Sequence, residues 1–271
     1  MSINGISSDV GGPSGTNQVN TKWTRPTVST IKVEPHDTDQ PAYISVSANG
    51  ADPILVEVPG AGLTWTITST GAIGGTRGAA EAANTGYEIY VVAKAGGADP
   101  ALISEVNGTA LTYAALAAVD ADYVLKSAVV SFGSNTGGGG SDLLDFNQWG
   151  GSYEYQASSV APIVAGKTTD TSESVPAEDF VPFGYRRVTL FMTMAHSTTT
   201  ANAAYIYRET GHVGLIHYLN RIGTFSSGYW SVGSAHVEHT RANDPTALVH
   251  ARLLIASSGA GMSLYVLGFE L

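Results

Sequence analysis

Asn84-Thr85-Gly86-Tyr87-Glu88-Ile89-Tyr90-Val91-Val92-Ala93-Lys94 is the stretch on which the fold turns. Its aromatic alternation predicts a half-buried strand, with a period of two rather than the 3.6 of a helix. The same pattern recurs on both sides. Upstream, residues 43–47, 54–58 and 63–68 carry β-branched or aromatic side chains. Asn49-Gly50-Ala51-Asp52-Pro53 and Pro59-Gly60-Ala61-Gly62 supply turns between them. Downstream, residues 123–132, 143–149 and 153–156 predict further strands, and Gly137 to Gly140 marks a hairpin tip. Only residues 79–83 and 110–119 suit helices, and both are short.

Beyond a polar, unpatterned segment at 166–181, the alternation sharpens. In 187–195, Val188, Leu190, Met192 and Met194 share one strand face, and Arg187, Thr189, Phe191 and Thr193 the other. Segments 203–208, 214–219, 229–239, 248–256 and 263–271 continue the series, a spacing that favours a jelly-roll-like sandwich. The chain is therefore expected to be all-β in four parts. These are an extended arm at 1–30, a central β domain at 31–165, a linker at 166–181 and a β-sandwich at 182–271. The arm is rich in Gly, Ser, Asn and Thr, a composition that cannot build a core. Ile3, Ile6, Val10, Val19 and Trp23 punctuate it, as in arms that order against a partner surface; Ile3, Ile6, Val10 and Trp23 are the candidate docking residues.

Composition narrows the function. Only 13% of the 271 residues are charged, and the net charge is −10. Residues 1–184 hold seven Lys+Arg against nineteen Asp+Glu, a net −12, while residues 185–271 hold six Arg against four acids, a net +2. An acidic body argues against nucleic-acid binding, which needs cations to neutralise phosphates. So few charges leave a surface suited to burial in an assembly. Cysteine is absent, which removes disulfides, thiolate metal sites and a Cys nucleophile. No signal peptide and no run near ~18 apolar residues is visible, so a cytoplasmically made protein without membrane insertion is expected.

Catalytic patterns are missing. Six of the seven histidines fall at or beyond His196, and His236-Val237-Glu238-His239 is their tightest group. On a strand, His236 and Glu238 face one way and His239 the other, so the trio does not converge on one ion. Asp37 with Asp39, and Asp120 with Asp122, lack the ligand series of a calcium loop and suit turns. No nucleophile elbow and no phosphate-cradling Gly-rich motif is present. No enzyme activity, metal or cofactor is expected. Among the C-terminal aromatics and arginines, Arg208, Arg221, Tyr229 and Trp230 are candidate ligand contacts, because such rings and guanidinium groups stack on sugars.

One ordered pattern spans residues 63 to 156: Arg77, then Ala82-Ala83-Asn84-Thr85, Tyr87 and Tyr90, Tyr123, and finally Phe146-Asn147-Gln148-Trp149-Gly150. It resembles a module of tailed-bacteriophage virion proteins, above all tail fibres and other surface-exposed structural proteins. Gly86 stands where that family usually has Trp, and residues 117–122 lack its prolines. The resemblance implies a virion structural role, commonly as a homotrimer, and supplies no catalytic residues. The expectation is a capsid-decoration or short-fibre protein of the particle surface, assembled in the bacterial cytoplasm. Its arm would dock on major capsid or tail proteins. The alternative is a host-attachment module that binds a surface glycan.

Overall fold

The computed structural model describes residues 18–78, 82–135, 142–156, 164–167, 172–175, 179–182, 187–196, 202–209, 213–221, 229–238, 249–254 and 261–271, with backbone only for most strands beyond residue 193. These residues form an all-β protein. In chain order the strands are β1 (Gln18–Val19), β2 (Thr21–Thr27), β3 (Thr30–Pro35), β4 (Ala42–Val46), β5 (Ile54–Val58), β6 (Leu63–Thr66), β7 (Thr85–Lys94) and β8 (Ala101–Val106). A short helix α1 (Tyr113–Val119) precedes β9 (Tyr123–Lys126), β10 (Ser131–Asn135), β11 (Phe146–Trp149), β12 (Ser152–Tyr155), β13 (Val164–Lys167) and β14 (Ser172–Val175). The series ends with β15 (Arg187–His196), β16 (Asn202–Glu209), β17 (Val213–Arg221), β18 (Tyr229–Glu238), β19 (Val249–Leu254) and β20 (Gly261–Glu270).

Four antiparallel sheets result among the described residues. A three-stranded sheet runs β1-β4-β5, and β10-β7-β8 with β9 on β7 makes a second. The longest runs β18-β15-β20-β12-β11-β2-β3-β6, with β13 on β20, and the last runs β14-β19-β16-β17. Short strands with inward apolar residues at every second position explain the layers. In β4, Ala42, Ile44 and Val46 are buried while Tyr43 and Ser45 are half-buried; in β11 and β12 the inward residues are Phe146, Gln148, Tyr153 and Tyr155. Phe146, Tyr153 and Phe269 stack at 4.6 and 4.3 Å between ring centroids, locking β11, β12 and β20 together.

Several expectations are revised. Tyr87 to Ala93 is buried on both faces, not one. Its second face lies under α1, where Tyr90, Val92, Ile103, Leu111 and Leu116 form a satellite core. Thr112 caps α1 by accepting from the Ala115 N–H at 3.1 Å. Residues 123–132 form two strands because the chain bulges between them: Val91 donates its N–H to the Ser127 hydroxyl at 2.9 Å, not to a carbonyl. Residues 18–27, expected in the arm, are strands of two sheets, and β13 and β14 reach into the expected linker. Nor do the sheets follow the boundary placed at 182, since C-terminal strand β20 pairs with β12 through Tyr153↔Phe269.

Candidate assembly surface

The buried polar groups come first, because they are where chemistry would reside. Glu88 and Glu105 lie directly opposite each other on β7 and β8, and both are 4% exposed. Each has a partner: the Arg77 guanidinium pairs with Glu105, and the Tyr90 hydroxyl donates to Glu88 at 2.9 Å. Burial, reinforced by the Glu88 charge, pushes the Tyr90 hydroxyl far above its ordinary range, so it stays a donor. These acids are enclosed and satisfied. The turn acids are equally local: Asp37 accepts from the Asp39 N–H, and Asp120 from the Asp122 N–H, at 3.1 and 3.0 Å. Among the described residues no three His, Asp or Glu side chains gather to hold a metal.

The residues of the ordered pattern from Arg77 to Gly150 hold structural posts. Arg77 neutralises Glu105. Asn84 takes a left-handed turn at φ 50°. Tyr87 is fully buried and accepts the Ala82 N–H at 2.9 Å. Gly150, at φ 56°, makes the tight turn from β11 to β12. Gln148, wholly buried, accepts from the Ser131 hydroxyl at 2.6 Å and donates to the carbonyls of Val130 and Gly150 at 2.6 and 2.8 Å. Gln18 also donates to the Val130 carbonyl, at 2.8 Å, and accepts from the Trp23 indole at 2.7 Å. A continuous network thus ties three sheets together: β1 with β4 and β5, β10 with β7, and β11 with β2. Such a pattern specifies a fold.

Trp23 is not available for docking. It is 1% exposed in the main core, its ring packed inside and its N–H held by Gln18. Trp23→Phe, which shrinks the buried indole to a phenyl ring and removes the donor, is expected to cost about 2–4 kcal/mol in chemical denaturation; a surface docking residue would show no such loss. Ile3, Ile6 and Val10 lie outside the described residues. Of the ligand-contact candidates, Arg208 and Arg221 stand on β16 and β17 of the last sheet. Tyr229 and Trp230 stand on β18 of the long sheet, at register with His196 and Ala195.

Among the described residues, the large apolar side chains left exposed are Val19, Val28, Ile54, Leu55, Val124 and Trp149, and β5 carries two of them. β5 reads Ile54-Leu55-Val56-Glu57-Val58 and, among the described residues, ends its sheet, hydrogen-bonded to β4 on one side only. Val56 and Val58 point into the core, while Ile54 and Leu55 are 39% and 56% exposed. An edge strand is normally protected by Pro, Lys, a bulge or a covering loop. Within β5 the register to β4 is unbroken, and Glu57 is its single charge. Its outward N–H and C=O groups offer a partner a ladder, and Leu55, on the face opposite Val56, offers apolar area; Ile54 lies on the Val56 face, beside Gly97. No family model and no curated protein sequence matches the chain.

Proposed function

We propose that this chain is a structural protein on the surface of a tailed-bacteriophage particle, a decoration or short-fibre protein that joins to copies of itself. The observation that carries the self-association is the β5 edge, unpaired among the described residues, with Leu55 in solvent. Low charge density supports it, since 13% charged residues leave little repulsive surface to keep copies apart. The virion assignment rests on the ordered pattern from Arg77 to Gly150, whose residues build the fold and leave no chemistry exposed.

The occupant of the β5 edge is a second copy, and charge selects which part of it. β5 belongs to residues 1–184, with net charge −12, whereas residues 185–271 carry +2 with Arg as their sole cation. Contact between the acidic region of one copy and the Arg-bearing region of the next is complementary; acidic against acidic is not. That contact is head-to-tail, and such contacts close into a ring when the rotation between copies divides a full turn. A ring of three is the assembly the phage resemblance implies. Gold-labelled antibody against this protein, applied to purified particles and viewed by electron microscopy, tests the virion role. Regular label on heads or tails is expected, and particles that carry none would refute it.

A further inference from the structure

We infer that Asn49, in the turn between β4 and β5, is a self-modifying site whose side-chain amide is lost as ammonia, leaving aspartate and isoaspartate. The inference stands on that turn alone and not on the assembly reading. It starts from a dipeptide that occurs three times, at Asn4-Gly5, Asn49-Gly50 and Asn107-Gly108. Asparagine before glycine brings two reacting groups together, because the glycine nitrogen and the side-chain carbonyl carbon, Cγ, can close a five-membered ring. Glycine has no Cβ to crowd that approach and leaves the backbone free to rotate. Asn20, Asn84 and Asn147 instead precede Thr21, Thr85 and Gln148, whose side chains crowd it. Water is the only co-reactant the chemistry needs. A base takes the proton of the Gly50 N–H, the nitrogen bonds to the Asn49 Cγ, and the Cγ–Nδ2 bond breaks as ammonia departs with a proton. Water then opens the succinimide at either of its two carbonyls, which gives aspartate or isoaspartate.

The fold separates the two described pairs; Asn4-Gly5 lies outside the described residues. Asn49 and Gly50 are both exposed, and a Cβ added to Gly50 would meet nothing within 4 Å. Neither the Asn49 amide nor the Gly50 N–H has a hydrogen-bond partner among the described residues. The chain is anchored at Ser47, bridged to Lys126 of β9, and again at Ile54, where β5 begins. Between those anchors one bond, from the Ala51 N–H to the Ala48 carbonyl at 3.1 Å, restrains the turn. Asn107-Gly108 is held. Asn107 is half-buried, its Nδ2 donates to the Val181 carbonyl at 2.7 Å, and its N–H donates to the Gly86 carbonyl at 2.9 Å. Swinging its Cγ onto the Gly108 nitrogen breaks the first bond, and the second fixes the backbone that must rotate. The product changes the turn in two ways. Each event adds a negative charge near Asp52, in residues 1–184 that are already net negative. The isoaspartyl form also routes the main chain through Cβ, which lengthens the turn where it feeds β5.

Peptide mapping by mass spectrometry tests this on full-length protein, kept folded in mildly alkaline buffer, digested with trypsin and set against an unincubated sample. Asn49 is the sole asparagine of peptide 33–77, and Asn107 of peptide 95–126. In the folded protein, peptide 33–77 should show amide-to-acid conversion and split into two chromatographic forms, about tenfold or more faster than peptide 95–126 converts. In urea-unfolded protein the two should convert at similar rates, which assigns the difference to the fold. The rate should rise with pH, because the attacking nitrogen must first lose its proton. Asn49→Gln should remove the change from peptide 33–77. An amide retained at Asn49 in the folded chain while the unfolded chain loses it, equal rates for the two peptides in the folded chain, or conversion of peptide 33–77 that persists in Asn49→Gln would each overturn the inference.

Discussion

Gln148→Ala is expected to lower the free energy of unfolding by about 3–5 kcal/mol, enough to unfold a marginal domain. The side chain is fully buried and makes three hydrogen bonds, to Ser131, Val130 and Gly150. Alanine removes all three and leaves the Ser131 hydroxyl and the Gly150 carbonyl without that partner. An orphaned buried group costs about 1–3 kcal/mol, more than a made bond contributes. The vacated volume adds a cavity term. Val130 is partly protected because Gln18 donates to the same carbonyl. The loss should propagate: Gln18 also holds Trp23, so the joint between the sheets loosens as a unit. Denaturant titration followed by Trp fluorescence measures the loss, with Trp23, at the far end of the network, one of the four tryptophans that contribute to the signal. A change under about 1 kcal/mol would show that the network is dispensable.

Much of the architecture was legible from alternation alone. Residues 54–58 and 187–195 match β5 and β15 to within a residue, because both strands have one face in the core and the period of two survives. Where a second layer covers the other face, the period no longer predicts burial, as in β7 under α1. Other strands were missed because their polar residues are satisfied by distant partners. β8 reads Ala-Leu-Ile-Ser-Glu-Val, and Ser104 and Glu105 look like surface residues. In the fold Ser104 accepts the Trp65 indole N–H at 3.1 Å, and Glu105 meets Arg77. Thr21-Lys22-Trp23-Thr24-Arg25 likewise reads as a polar arm, yet Arg25 bridges to Asp145 at 3.0 Å from 120 residues away. Candidate surfaces depend still more on tertiary context. The sequence predicts that 54–58 is a strand, but not that its outer edge pairs with no other described strand. Nothing local tells Asn49-Gly50 from Asn107-Gly108, of which the fold holds only the second.

Leu55→Lys carries the second large effect, and it acts on assembly rather than folding. Leu55 is 56% exposed in the single chain, so lysine there disturbs little of the core. In an edge-to-surface contact the leucine would be covered, worth about 1.5–3 kcal/mol of burial, and a lysine would instead face desolvation of its ammonium group. The dissociation constant should rise at least thirtyfold, about 2 kcal/mol. A new cation at this edge also opposes the Arg-bearing region that charge complementarity assigns to it. Inward-facing Val56, by contrast, should be changed only to measure stability, since it is 4% exposed.

Sedimentation equilibrium of the unmodified chain and of Leu55→Lys, under matched buffer and moderate salt, tests the self-association most directly. The account predicts a species of about three 28.0 kDa chains for the unmodified protein and a shift towards single chains for the variant, with unchanged circular dichroism. An unmodified chain that sediments as a monomer at micromolar concentration, or a variant that assembles as fully as its parent, would contradict it.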